Sequence, residues 1–221
     1  LLLNAFGGRS FFDLSQYPVA PWIASPELES RNLSKPMGQL NEARAKHYDQ
    51  TYELSSPQYY YGFHYSLPGS VFWMLMRLPP YSFFQWDLNH GWDASQRLFY
   101  SANDTYKSAA ALNPSDLKEL IFQYYVIPEI FINICHFKFD ESNGDVLLPK
   151  WTNQNPFFFT EKNFKYLNES NDINEWIDLI FGFKQNGEPA IKYKNLFHPS
   201  SYHNCKKEDL NMDEKAFKSQ V

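Results

Sequence analysis

Apolar positions in this chain recur at helical spacing, in short runs that prolines separate. Asn41 can cap the first run through about Glu53, and Glu42 puts a carboxylate in its first turn. Ser66, with Pro68 just inside, opens a helix carrying VFWMLMRL, which Pro79-Pro80 ends. That run is apolar on every side, so its helix should be central. Asp93 and Gln96 resemble a capping box for a helix to about Ala111, with Leu98, Phe99, Ala102, Tyr106 and Ala109 near one face.

NPSDLKELIFQYYVIPEI follows. Asn113 reads as an N-cap, Pro114 as a first-turn residue, and Leu117, Leu120, Ile121 and Tyr124 as a buried face up to the break at Pro128. FDESNGDVLLP predicts a turn or hairpin with Asn143-Gly144 at its tip. Asn155-Pro156 opens a further helix. Asp172 caps INEWIDLIF, and Gly182 is placed to end it in the left-handed conformation. From Lys206 the chain is charged, with Leu210 and Phe217 seven apart, which suits a surface helix or a frayed tail. Few runs alternate with period two, so a large sheet is not expected.

A chain of 221 residues fits one large domain or two small ones. Its 19% aromatic content predicts a core of rings whose buried OH and NH groups need partners. The net charge of −5 and the scattered basic residues argue against a nucleic-acid surface and against direct attraction to anionic lipid. Cys135 and Cys205 make no disulfide framework, which favours a reduced, intracellular chain; a single disulfide is the alternative. No apolar run is long enough to span a membrane. LLLNAF lacks the basic start and cleavage site of a signal peptide, and the absent initiator Met suggests a piece of something longer.

Candidate chemistry is sparse. Asp116, Lys118 and Glu119 could form a reactive cluster, but carboxylates in the first turns of a helix are explained by its dipole. Asp178 sits between Ile177 and Leu179 and is expected to be a buried acid that needs a partner, with Arg77, Arg97 or Lys35 available. An enzyme would use Asp178 with His64 or Lys118; a buried ion pair is the structural alternative. His64, just ahead of the most apolar helix, reads as a core histidine bonded to backbone. His198, His203 and Cys205 lie close in sequence but match no common zinc spacing. Cys135 and His136 are adjacent, which points their side chains apart. Phosphate-cradling and nucleophile-elbow motifs are missing, and no cofactor is expected.

Several blocks, in order, resemble the BEACH domain of very large eukaryotic scaffold proteins. They are GGRSFFDLSQYPVAPWI (7–23) with RNLSKPMGQLN (31–41), YGFHYSLPG (61–69) and DASQRLFYSANDTYKSAAALNPSDLKELIFQYYVIPEIF (93–131). GDVLLPKW (144–151) and EWIDLIFGFKQNGEPA (175–190) complete the order. The link SPELES is shorter than usual, SFFDLSQYP carries Phe where Tyr and Asn are common, and the PH-like domain usual just upstream is not within these residues.

The resemblance implies a mainly α fold with little β: a single BEACH-like domain over residues 1–205, its core of irregular extended segments flanked by helices, followed by a charged tail at 206–221. It implies a non-enzymatic interaction scaffold in vesicle, lysosome and autophagy traffic, often with WD40 repeats downstream. Its partners would be the PH-like domain of the same parent chain and trafficking proteins. The chain would then be cytoplasmic and peripheral to endomembranes, its membrane association coming through other domains. Arg31 and Lys35, on a loop expected to be exposed, are the first candidates for the partner face; Asp116, Lys118 and Glu119 follow.

Overall fold

In a computed structural model of the chain, residues 19–23, 31–62, 65, 68–94, 97–139 and 144–202 are described. Among them the helices are α1 (Glu42–Leu54), α2 (Pro68–Leu75), α3 (Tyr81–Asn89), α4 (Ala102–Lys107), α5 (Gln123–Val126), α6 (Pro156–Glu169), α7 (Ile173–Ile180) and α8 (Gly187–Lys192). The sheet has two short antiparallel strands, β1 (Val19–Ala20) and β2 (Leu120–Ile121), in the register Val19 to Ile121 and Ala20 to Leu120. The expected mainly α architecture with little β is what the described residues form.

Local capping sets the clearest elements. The Asn41 side chain accepts the Arg44 amide at 3.0 Å and starts α1. Asn155 does the same for the Phe158 amide at 3.1 Å, with Pro156 in the first turn of α6. Each cap satisfies an amide that has no partner within its helix.

Extended segments run through the core and bond one another in isolated contacts. The Tyr60 amide reaches the Leu196 carbonyl at 2.9 Å, the His198 amide reaches Tyr61 at 2.8 Å, and the Glu119 amide reaches Tyr65 at 3.1 Å. The Leu147 amide donates to Tyr100 at 2.7 Å, and the Leu147 carbonyl accepts from Ala102. These bonds satisfy backbone groups that have no partner within a helix. Rings fill the space between: Tyr124, Phe131 and Phe159 meet edge to face at centroid separations of 5.1–5.6 Å. Val71, Met74, Leu75 and Met76 are buried, so the α2 run is central as its pattern requires.

Four expectations are corrected. Residues 113–121 are not a helix: Pro114 and Ser115 turn, residues 116–119 are irregular, and 120–121 are β2. The long-range needs of Glu119 and β2 outweigh the local helical spacing. The helix expected from Asp93 starts at Ala102, where the Ser101 hydroxyl accepts the Asp104 amide at 3.2 Å; Asp93 pairs with Arg97 at 3.1 Å instead. After Lys107 this helix widens into a π-helical turn over Ser108–Leu112. Gly182 has φ −105° and is not left-handed; a β-carbon there would lie 2.7 Å from the Asp178 α-carbon, so close backbone approach selects glycine. Asp172 precedes α7 but makes no side-chain cap bond. Asn143, His64, Gln96, Ser66 and the tail from His203 lie outside the described residues.

Candidate functional site

The RNLSKPMGQLN loop meets the DLKEL segment through two arginines. Arg31 donates from both terminal nitrogens to the two Glu119 oxygens, each at 2.6 Å, and both side chains are 1% exposed. The bidentate fork suits guanidinium and carboxylate geometry. This corrects the expectation of an exposed Arg31 and a solvated Glu119: each is consumed by the other. Lys35 is exposed.

Arg44, 4% exposed on α1, is the second tie. Its guanidinium donates to the carbonyls of Ala109 (2.6 Å), Ala110 (3.1 Å), Asn113 (3.2 Å) and Asp116 (3.3 Å), and to Met37. Carbonyls left open where the π-helical turn ends find their donor here. Burial lowers the Arg44 pKa, an effect that Tyr48, Tyr61 and Asp116 oppose. One side chain thus fixes the backbone that carries Asp116 and Lys118.

Those two residues stay together. The Lys118 ammonium donates to the Asp116 carboxylate, which also accepts the Ser108 hydroxyl at 2.9 Å. The same ammonium lies 4.8 Å from the Trp73 ring centroid. The pair forms one wall of a groove of about 730 Å³, whose lining includes Trp73, Gln85, Leu88, Asp93, Arg97 and Asp104. The Arg97 and Asp104 side chains are largely exposed. Gln85, 4% exposed on α3, lines it too, and its Oε1 has no partner. Of the expected partner-face residues, Asp116 and Lys118 line this groove, with 10% and 15% of their side chains exposed. Trp73 lies in the VFWMLMRL run, whose pattern fits a helix core; Leu88 lies on α3, between Pro80 and Asp93, where no element is expected from the sequence.

Asp178 is half-exposed rather than buried, at 35% of its side chain. Its cation is Lys184, at 3.6 Å, not Arg77, Arg97 or Lys35. Lys184 is the buried member, 3% exposed; it also donates to Glu175 and lies 4.7 Å from the Tyr193 ring centroid. Its burial favours the neutral amine, but Glu175 and Asp178 outweigh this, and its pKa is raised. The lysine sits in a short 3₁₀ segment, Phe183–Gln185, beyond the end of the helix that carries its acids, a distance that local reading does not bridge. Arg77, 2% exposed, donates to the Gly144 carbonyl at 2.7 Å and sits 5.2 Å from the Phe139 centroid. Burial pulls its pKa down to about 10 against the charge of Asp145. The Cys135 thiol is free and exposed. Among the described residues, no three His, Cys, Asp or Glu side chains are grouped to hold a metal ion, and no helix is long and apolar enough to cross a membrane.

The family model for the Beige/BEACH domain matches residues 1–221. BEACH domain-containing protein B of Arabidopsis thaliana is 36% identical over 91% of this chain and 9% of its own length. The lysosomal-trafficking regulator of Drosophila melanogaster is 36% identical over 91% of this chain and 7% of its own length. Beige protein homolog 1 of Saccharomyces cerevisiae is 38% identical over 91% of this chain and 10% of its own length. The chain therefore spans a tenth or less of these relatives. It belongs to the Beige/BEACH domain family.

Proposed function

We propose that this chain is a non-enzymatic interaction module working in membrane traffic, as part of a longer scaffold and against a PH-like domain of the same parent. The observation that carries this reading is the open groove walled by Asp116, Lys118 and Trp73. Aromatic and aliphatic surface ringed by both signs of charge suits a protein partner, with specificity coming from the charges. The name of the Drosophila relative supports the trafficking context. On this reading the chain is cytoplasmic, and other domains of the parent, together with trafficking proteins, hold it peripherally at endomembranes. Lys35 belongs to the exposed partner face; Arg31 and Glu119 support the fold behind it.

The enzyme alternative loses its motive, since Asp178 is half-exposed and paired with Lys184 while Lys118 is taken by Asp116. The test is a pull-down and titration of the chain with the upstream PH-like domain of its parent. Binding at about 10 µM or tighter is expected, and Leu88→Asp or Arg97→Glu should weaken it by about tenfold or more. Absence of binding at that concentration sinks the reading.

A further inference from the structure

A second surface lies away from the groove residues. Phe157, Thr160, Glu161 and Phe164 share one face of α6 at i, i+3, i+4, i+7 spacing. With Tyr125, Val126 and Pro128 they line a shallow trough of about 340 Å³. Its apolar residues are open to solvent: Phe157 is 60%, Val126 42% and Phe164 39% exposed. Its base is fixed, because the Tyr125 hydroxyl donates to the Pro21 carbonyl at 2.5 Å and accepts the Ile23 amide at 3.2 Å. Thr160 lines the same trough, is only 7% exposed, and its hydroxyl has no partner. Glu161 adds one exposed carboxylate.

We propose that this trough binds a proline-rich segment in polyproline II form carrying a basic residue beside its prolines. Rings and a proline give flat apolar walls on which proline rings pack. A buried hydroxyl without a partner calls for an acceptor. A polyproline II backbone has free carbonyls, whereas a docked helix has spent its own. Glu161 selects a cation on the flank. This inference does not depend on the groove that Asp116 and Lys118 wall.

The test is a fluorescence-polarisation titration of the chain with labelled peptides of about ten residues. An Arg-flanked peptide with two prolines three positions apart should bind saturably, with a dissociation constant on the order of 10–100 µM. Glu161→Lys should weaken it by about tenfold and move the preference to an Asp-flanked peptide. Thr160→Val should weaken it by roughly threefold or more without lowering the denaturation midpoint. No saturable binding at about 1 mM overturns the proposal. So does equal binding of an amphipathic helical peptide, or binding unchanged in Phe157→Ala/Phe164→Ala.

Discussion

Arg31 and Glu119 are 88 positions apart and lock through two parallel 2.6 Å hydrogen bonds inside the protein. The pair holds the RNLSKPMG loop against the segment entering β2. Arg31→Ala leaves Glu119 charged, buried and alone, so a loss of about 3–5 kcal/mol is expected. Arg31→Lys should lose much of this too, because one ammonium cannot fork onto both oxygens. The double change Arg31→Met/Glu119→Leu should cost clearly less than either single alanine. Denaturant unfolding of Arg31→Ala, Glu119→Ala, Arg31→Lys and the double variant against the unchanged chain checks the order; equal costs for single and double changes would refute the buried-pair account.

That pair also explains where local reading stopped. Asn41 and Asn155 were legible because a cap acts within three residues of itself. The apolar spacing of DLKELI fits a helix, while its actual constraints come from far away. Glu119 must reach Arg31, and Leu120–Ile121 must pair with Val19–Ala20. Asp178 was misplaced for a similar reason: apolar neighbours suggested burial, yet Ile177 beside it is itself 40% exposed. The polar wall of the groove was half visible, through Asp116 and Lys118. Its other residues come mostly from α2, α3, the segment before α4 and α4 itself, brought together only by folding.

A β-carbon on Gly38 would stand 2.3 Å from the Tyr61 ring. That ring is 1% exposed and tethered by its hydroxyl to the Lys194 carbonyl at 2.9 Å, so it has nowhere to retreat. Gly38→Ala should cost about 1–3 kcal/mol by overpacking. Combined with Tyr61→Leu, it should cost less than the sum of the two, since the shortened side chain makes room. Thermal or denaturant midpoints of the four-member cycle give the coupling; strict additivity would place the clash elsewhere.

Stability should fall at alkaline pH. Burial raises the phenol pKa of Tyr61, Tyr124 and Tyr125 well above 10, and that of Tyr48 to about 12. In the unfolded chain these phenols ionise near pH 10. Below that pH both states keep their protons and the full stability is present. Above it the unfolded chain releases protons first, so stability drains as pH climbs from about 10 towards the folded values. Arg44 and Arg77, whose pKa values burial lowers, shift the linkage the other way, but the phenols outnumber them. Phenolate absorbance and circular dichroism followed in one titration should show the last tyrosines ionising together with unfolding. Full ionisation in a chain that stays folded would contradict this.

Asp178 and Lys184 should respond unequally. Asp178 is half in water, so Asp178→Asn should change stability by less than about 1 kcal/mol. Lys184 is buried beside Glu175 and under Tyr193, so Lys184→Ala removes packing as well as charge and should cost about 2 kcal/mol or more. Unfolding curves of the two variants decide it. A large cost for Asp178→Asn with a small one for Lys184→Ala would reverse the assignment of which residue is structural.

Arg44 joins fold to function, and replacing it should disturb both. Its guanidinium is bonded to the carbonyls of Met37, Ala109, Ala110, Asn113 and Asp116. An ammonium has too few, differently directed protons for that set. Arg44→Lys therefore leaves buried carbonyls open, and a stability loss of about 2 kcal/mol or more is expected. The freed backbone carries Asp116, which anchors Lys118 at the groove. Binding of the PH-like partner should weaken with it, even at temperatures where the variant is fully folded. Arg97→Glu changes only an exposed side chain at the groove, so it should weaken binding while moving the unfolding midpoint little. Measuring partner affinity and unfolding for both variants separates the two roles. If Arg44→Lys loses stability yet binds its partner with unchanged affinity, the groove does not depend on this scaffold, and the partner surface lies on another face.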